Sequence, residues 1–215
     1  ILDLSILLPD REAWEPVPRV NAHSWRSAAV TARVHLLARY LARRGQQDGL
    51  APLVRPLLLR EAARETPLGR IALPLLRLLV QASREQDMAS VERAARGLAG
   101  LGPGLTPSGD DTLGGFIGVL ALADSQPGMD AAANKRLAGA IAEAARPRTT
   151  LLSATLLAQA ARGEMAEQVG ELLMALTLPV EADAAVLQVA ERVLAYGACS
   201  GGDTLLGLLL GLQAI

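Results

Sequence analysis

Between Gly97 and Gly118 the chain reads GLAGLGPGLTPSGDDTLGGFIG, and no continuous helix or strand can run through such a stretch. Gly100, Gly102, Pro103, Gly104 and Pro107 exclude regular helix, because glycine loses the most backbone freedom on ordering and proline lacks the amide and clashes with the preceding turn. Two helices must therefore be joined here by a tight loop. Ser108-Gly109-Asp110-Asp111 opens the next helix, with Ser108 and Asp111 spaced as a reciprocal N-cap in which each satisfies a backbone N–H. Asp110, Thr106-Pro107 and the GPG turn exceed what capping needs, and they aim amides, hydroxyls and a spare carboxylate at one helix N-terminus. Gly114, Gly115 and Gly118 follow, each costing roughly 1 kcal/mol relative to alanine in a helix. The close approach of another backbone would offset that cost.

The design recurs near the end of the chain. Ser200-Gly201-Gly202-Asp203-Thr204-Leu205-Leu206-Gly207 repeats Ser108-Gly109-Asp110-Asp111-Thr112-Leu113-Gly114-Gly115, and again an apolar helix follows, carrying Gly207 and Gly211. Gly202 stands where the first copy has Asp110, so the specific chemistry is expected at the first copy. The two helix starts are expected side by side, their helices packing through Gly114, Gly118, Gly207 and Gly211. Asp111 is expected to serve stability as the capping partner of Ser108. Asp110, surplus to the cap, is expected to be available to a cation or a substrate.

Three segments also carry a resemblance. GLGPGLTPSGDDTLGG, RTTLLSATLLAQAARGEM at 148–165 and SGGDTLLGLLLGL at 200–212 resemble the bacterial family typified by one subunit of the oxamate carbamoyltransferase of allantoin breakdown. The resemblance covers roughly the C-terminal half. It implies a largely helical protein that works in a hetero-oligomer with other carbamoyltransferase subunits and interconverts oxalurate plus phosphate with oxamate plus carbamoyl phosphate. Where that family commonly carries histidine just before the last motif, this chain reads Ala198-Cys199, so no histidine role is carried over.

A chain of 215 residues is long enough for one well-buried domain. Hydrophobic residues make up 51% and aromatics 2%, so the core is expected to be built of leucine and alanine. Arg, Glu, Gly or Pro interrupt every apolar run well short of the ~20 residues a membrane span requires. A net charge of −1, with almost no aromatic platform, argues against nucleic acid. The single cysteine, Cys199, excludes an internal disulfide framework. Ile1–Leu8 has neither a basic leader nor a small-residue cleavage site, and the expected location is cytoplasmic. The missing initiator methionine points to a longer chain upstream.

Residues 1–23 are expected to form an extended arm, in which Ile1–Leu8 is either a short strand or simply extended, and Trp14 pins the arm to the body. Residues 24–215 then form one mainly α domain carrying the motifs at 97–118, 146–165 and 198–212. Helices are expected from Ser24 to Arg44, Leu50 to Ala63, Pro67 to Ser83, Asp87 to Leu98, Thr112 to Ala123, Asp130 to Ala145, from the 146–150 segment to Arg162, on to Leu176, and from Glu181 to Tyr196. Pro52, Pro56 and Pro74 should kink or break theirs. In the fourth of these, Val91, Ala94, Ala95 and Leu98 face inward and Glu92, Arg93 and Arg96 outward. A turn is read at Ser125–Met129, and Pro179 separates two helices. His35, mid-helix, reads as a partly buried packing residue, and His23 has no evident partner.

Arg146-Pro147-Arg148-Thr149-Thr150 forms a second polar concentration at a helix start, with Ser153 one turn on. It reads either as a cap with solvated arginines or as an anion site, since guanidinium beside hydroxyls and amides suits phosphate or carboxylate. No Ser-His-acid triad or zinc site is encouraged by two scattered histidines and one cysteine. Asp110, Asp111 and Asp203 are hard oxygen ligands that could take magnesium. The expectation is thus a small anionic ligand held where the repeated helix N-termini converge. Asp110 and Asp203 are the catalytic candidates, and Gly102, Gly104, Thr106, Ser108, Gly109, Thr112, Arg148, Thr149, Thr150, Ser200 and Gly201 are the ligand-binding candidates. The alternative is a noncatalytic helical subunit whose glycine motifs serve packing and docking.

Overall fold

The computed structural model describes residues 15–21, 24–123, 130–178 and 183–215. Ile1–Leu8, Trp14, His23, the turn at Ser125–Met129 and Pro179 lie outside them. Within the described residues the structure is helical without strands: α1 (Ala28–Arg44), α2 (Pro67–Arg84), α3 (Met88–Leu98), α4 (Ser108–Leu122), α5 (Ala131–Ala145), α6 (Leu151–Ala160), α7 (Glu167–Ala175), α8 (Asp183–Leu194) and α9 (Ser200–Ala214). Residues 15–21 are irregular; the Met165 amide, just before α7, donates to the Pro16 carbonyl at 2.8 Å, and Pro18 lies against Gly170 on α7.

Most helices start as their sequences dictate. Ser27, Thr66, Asp87, Asp130 and Thr150 each accept a first-turn amide, from Val30, Gly69, Ser90, Ala132 and Ser153 respectively. The expected helix over 50–63 does not form. Pro52 and Pro56 withhold amides an α-helix would use, and the chain makes a 3-10 turn (Ala51–Leu53) and a π turn (Arg55–Leu59) before Arg60 leaves at φ 58°. Pro74 stays inside α2. On α3 the buried residues Val91, Ala94, Ala95 and Leu98 are the inward face read from periodicity. On α1 the buried stripe is Val30, Arg33, Leu37, Ala38, Leu41 and Ala42, which leaves His35 exposed rather than partly buried.

Two helices form the axis of the fold. Beyond their first turns α4 and α9 carry no charge, and both are buried around most of their circumference, as apolarity on every face requires. α5 and α6 cover α4, while α1, α2 and α8 cover α9, and α3 packs between α2 and α5. Each leucine fully buried on α9, such as Leu205 or Leu209, contributes roughly 1.5–3 kcal/mol.

Candidate functional site

The two repeated helix starts meet. A Cβ placed on Gly115 would fall 2.2 Å from the Thr204 carbonyl, and one on Gly207 would fall 2.0 Å from the Thr112 carbonyl. Thr112 matches Thr204 and Gly115 matches Gly207 in the two copies, so the contact is reciprocal and the pair has a local pseudo-twofold relation. Further along, Gly211 abuts Val119 and Phe116, which makes α4 and α9 parallel with their N-termini together. The glycines in this contact are Gly115, Gly207 and Gly211. Gly118 instead faces Met165, and Gly114 comes no closer than 3.9 Å to Leu157. Gly109 and Gly201 share another duty: a Cβ there would lie 2.0 Å from Leu98 O and 1.9 Å from Val193 O, so each seats its helix on the end of the preceding one.

Neither start is capped as the S-x-x-D spacing predicts. The N-cap residues are Pro107 and Cys199, neither with a side-chain cap, and Ser108 and Ser200 fall inside the first turn. Asp110 is consequently not spare. One of its carboxylate oxygens accepts from the Gly100 amide at 2.9 Å and the other from the Thr149 hydroxyl, so it ties the glycine loop to the segment before α6. Gly100 at φ 71° lies against the Arg148 carbonyl, which a Cβ would meet at 2.4 Å.

Asp203 Oδ2 and Asp111 Oδ2 are both buried with no hydrogen-bond partner among the described residues, and of the two residues only Asp111 also lines a cleft. Burial pushes the pKa of Asp111 up to about 6, the Ser200 and Thr106 hydroxyls oppose the rise, and the nearby carboxylates of Asp203 and Asp110 add to it. Asp203 is fully buried, with Oδ1 accepting from the amides of Leu50 and Ala51 at 2.6 and 2.8 Å and its carboxylate set against Gly49. Burial raises its pKa as well, against the pull of the Ser108 hydroxyl and the two amides. Two contacts stitch the copies together: Ser108 Oγ lies 3.7 Å from Cys199 Sγ, and Thr106 Oγ1 lies 3.4 Å from Ser200 Oγ. Burial also raises the Cys199 thiol, so the helix start does not activate it as a nucleophile.

A cleft of about 480 Å³ opens beside this cluster. Asp110, Asp111, Gly201 and Thr204 lie on the side of the paired starts, α6 contributes Ser153 and Leu156, and Glu164 and Tyr196 stand on other walls. The remaining expected residues have other placements. Thr112 is buried and donates to Ser108 O at 2.8 Å. Thr150 caps α6 while its hydroxyl donates to Leu105 O at 2.7 Å. Gly102 (φ 116°) and Gly104 (φ 97°) shape the loop, Gly104 with open space around it. Arg148 is exposed, does not line the cleft, and makes no side-chain hydrogen bond or ion pair with described residues. No group of three or more His, Cys, Asp or Glu among the described residues is placed to hold a metal ion. Sequence reading passed over Glu164 and Tyr196, although Glu164 lies in the second family-like segment and Tyr196 just ahead of the third.

Fold and site together define a class: a helical protein built on two parallel, glycine-seated helices whose paired starts hold buried carboxylates beside a cleft. Residues 98–212, which contain both starts and most of the cleft, match the family described as oxamate carbamoyltransferase subunit AllH, and the chain belongs to that family. It is thus a carbamoyltransferase subunit of the kind that implies partner subunits. No solved structure matches it significantly. Among the described residues no helix is long and apolar enough to cross a membrane.

Proposed function

We propose that this subunit holds the carbamoyl-bearing substrate in the cleft beside the paired helix starts, and that Asp111 handles the proton of the transfer. The reaction is the interconversion of oxalurate and phosphate with oxamate and carbamoyl phosphate. A phosphate oxygen bonds to the ureido carbonyl carbon, the C–N bond to oxamate breaks, and the departing nitrogen takes that electron pair and a proton. Hydrogen phosphate brings one proton and the leaving amide needs one, so a single group that gives a proton and recovers it balances the reaction. A carboxyl with pKa about 6 suits that exchange near neutrality, since it is populated in both forms. Ionised, it accepts from the substrate's amide N–H groups. The backbone dipoles of the two starts, of which Asp110, Asp111, Gly201 and Thr204 line the cleft, stabilise the oxyanion that develops on the carbonyl, while the Thr106 and Ser200 hydroxyls support the ionised form of Asp111. Asp203 acts through its neighbours, keeping Ser108 and the second start in place.

The observation carrying this reading is the buried, unpartnered oxygen of Asp111 in a residue that lines the cleft. In the complex reconstituted with its partner subunits, Asp111→Asn should lower kcat by about 10²–10⁴ and abolish the inflection near pH 6 in the rate profile. The packing duties of Gly109, Gly115, Gly201 and Gly207 favour a second reading, a noncatalytic scaffold subunit. Under it, Asp111→Asn leaves the transfer rate unchanged.

A further inference from the structure

The carbamoyltransferase reading leaves one chemical need unmet by the described residues. Oxalurate carries a carboxylate and phosphate two negative charges, yet among the described residues no Arg, Lys or His lines the cleft, whose lining includes Asp110, Asp111 and Glu164. Hydroxyls and helix dipoles alone are a poor counterweight to a dianion set beside carboxylates. The described walls therefore leave the cationic groups to come from beyond them.

The rim of the same cleft is unusually apolar. α6, LLSATLLAQA, contains no charged residue, yet it lies at the surface with Leu151, Leu152 and Leu156 exposed by 86%, 46% and 43%. Leu105, 73% exposed, is brought to the start of α6 because its carbonyl accepts from the hydroxyls of Thr150 and Ser153. Leu156 belongs both to this face and to the cleft, and the 57% exposed Tyr196 stands on another wall. Ordinary surface helices alternate an apolar stripe with a charged one, and an apolar cluster left in water marks an interface.

We infer that the Leu105 and α6 face is the docking surface for another subunit of the same carbamoyltransferase, which closes the cleft and supplies it with the Arg or Lys side chains that bind phosphate. The inference rests on the proposed function for its substrate chemistry. Membership of a subunit family selects a partner subunit over a second copy, and a second copy meeting this one wall to wall would only bring more carboxylates to the cleft.

Co-expression of the full chain with the other subunits, followed by gel filtration, tests the docking. Leu151→Glu and Leu152→Glu should each weaken assembly at least tenfold while the isolated variant keeps the parent's circular dichroism and melting temperature. Assembly at parent strength with both variants would overturn the inference. So would a homodimer of the chain that these substitutions dissolve. Inorganic phosphate then tests the charge: it should raise the melting temperature of the complex and leave that of the isolated chain unmoved, and stabilisation of the isolated chain would refute a supply from the partner. If the complex forms, and Leu151→Glu breaks it, but no carbamoyl phosphate is made from oxalurate, the docking surface stands and the proposed function falls.

Discussion

Asp110 and Asp111 are neighbours in opposite surroundings, one carboxylate hydrogen-bonded at both oxygens and the other with a buried oxygen unpartnered among the described residues, and the difference follows from where the helix begins. Had Ser108 been the N-cap, Asp111 would be the third helical residue and close a capping box. Pro107 holds that position instead, one residue earlier, and one residue turns a side chain by about 100° around the axis. The third helical residue is then Asp110, and since Pro107 has no N–H to offer, its carboxylate reaches the Gly100 amide and the Thr149 hydroxyl. Asp110→Ala should therefore cost about 3 kcal/mol, two hydrogen bonds to a charged group being lost in a buried site. Asp111 should show the reverse. Its pKa of about 6 lies above the usual 3.8, so the fold binds that proton more tightly than the unfolded chain does. This contribution is fully present below the ordinary carboxylate range and is lost as the pH rises through about 6. Asn keeps the shape and cannot ionise, so Asp111→Asn should melt above the parent at about pH 8 and level with it at about pH 4. A lower melting temperature at the higher pH would mean that the ionised carboxylate is stabilising after all. The spacing in the sequence supplied the pair of carboxylates and their helix start. It could not assign their roles, because those depend on a one-residue offset set by the preceding loop.

At the scale of elements, the α4–α9 pair decides which glycines are indispensable. Side-by-side starts were legible from the repeat, but the expected contact glycines included Gly114 and Gly118, which face elsewhere. The information to choose correctly lay in the repeat itself. In a parallel, pseudo-symmetric pair matching positions meet, and Gly115 matches Gly207, whereas Gly114 matches Leu206. Gly115→Ala and Gly207→Ala each drive a Cβ to about 2 Å from a carbonyl oxygen of the facing helix, where no rotamer change gives relief. Each should cost more than about 3 kcal/mol, the upper range for overpacking a core. Gly114→Ala meets only a leucine methyl at 3.9 Å and should be neutral or stabilise by up to about 1 kcal/mol through helix propensity. Denaturant unfolding of the three variants checks the ordering, and equal losses would refute the reciprocal contact. In the segment at 50–63 the breaks expected at Pro52 and Pro56 go further than a kink, leaving two short turns where the apolar spacing suits a helix. The segment instead points the Leu50 and Ala51 amides at Asp203.

That last contact changes what counts as a unit in the molecule as a whole. Residues 98–212 match the family, yet the second helix start is held from outside them: Asp203 accepts from Leu50 and Ala51, and Gly49 lies against its carboxylate so closely that a Cβ would sit 2.4 Å from Oδ2. α9, apolar on every face, takes part of its cover from α1 and α2. Arg33 on α1 is buried too and donates to Asp183 and to the carbonyls of Leu176 and Leu178, which fixes the junction of α7 and α8 to the N-terminal half. Removing residues 1–97 would therefore expose leucines along α9, leave Asp203 buried without its amide donors, and free the α7–α8 junction. Each loss is of the kind that costs several kcal/mol, against a total stability of about 5–15 kcal/mol for a domain. The fragment 98–215 should be aggregated or lack a cooperative thermal transition by itself, and co-expression with the fragment 15–97 should restore a soluble, cooperatively melting pair. A cooperative melt from 98–215 alone would show that the matched segment is self-sufficient and that the N-terminal helices merely decorate it. The same reasoning extends to the site, since Gly49→Ala lies far in sequence from both motifs. By forcing the Asp203 carboxylate to move, it should lower both the melting temperature and carbamoyl transfer in the assembled complex, whereas Gly139→Ala, with open space around it on α5, should change neither for the worse.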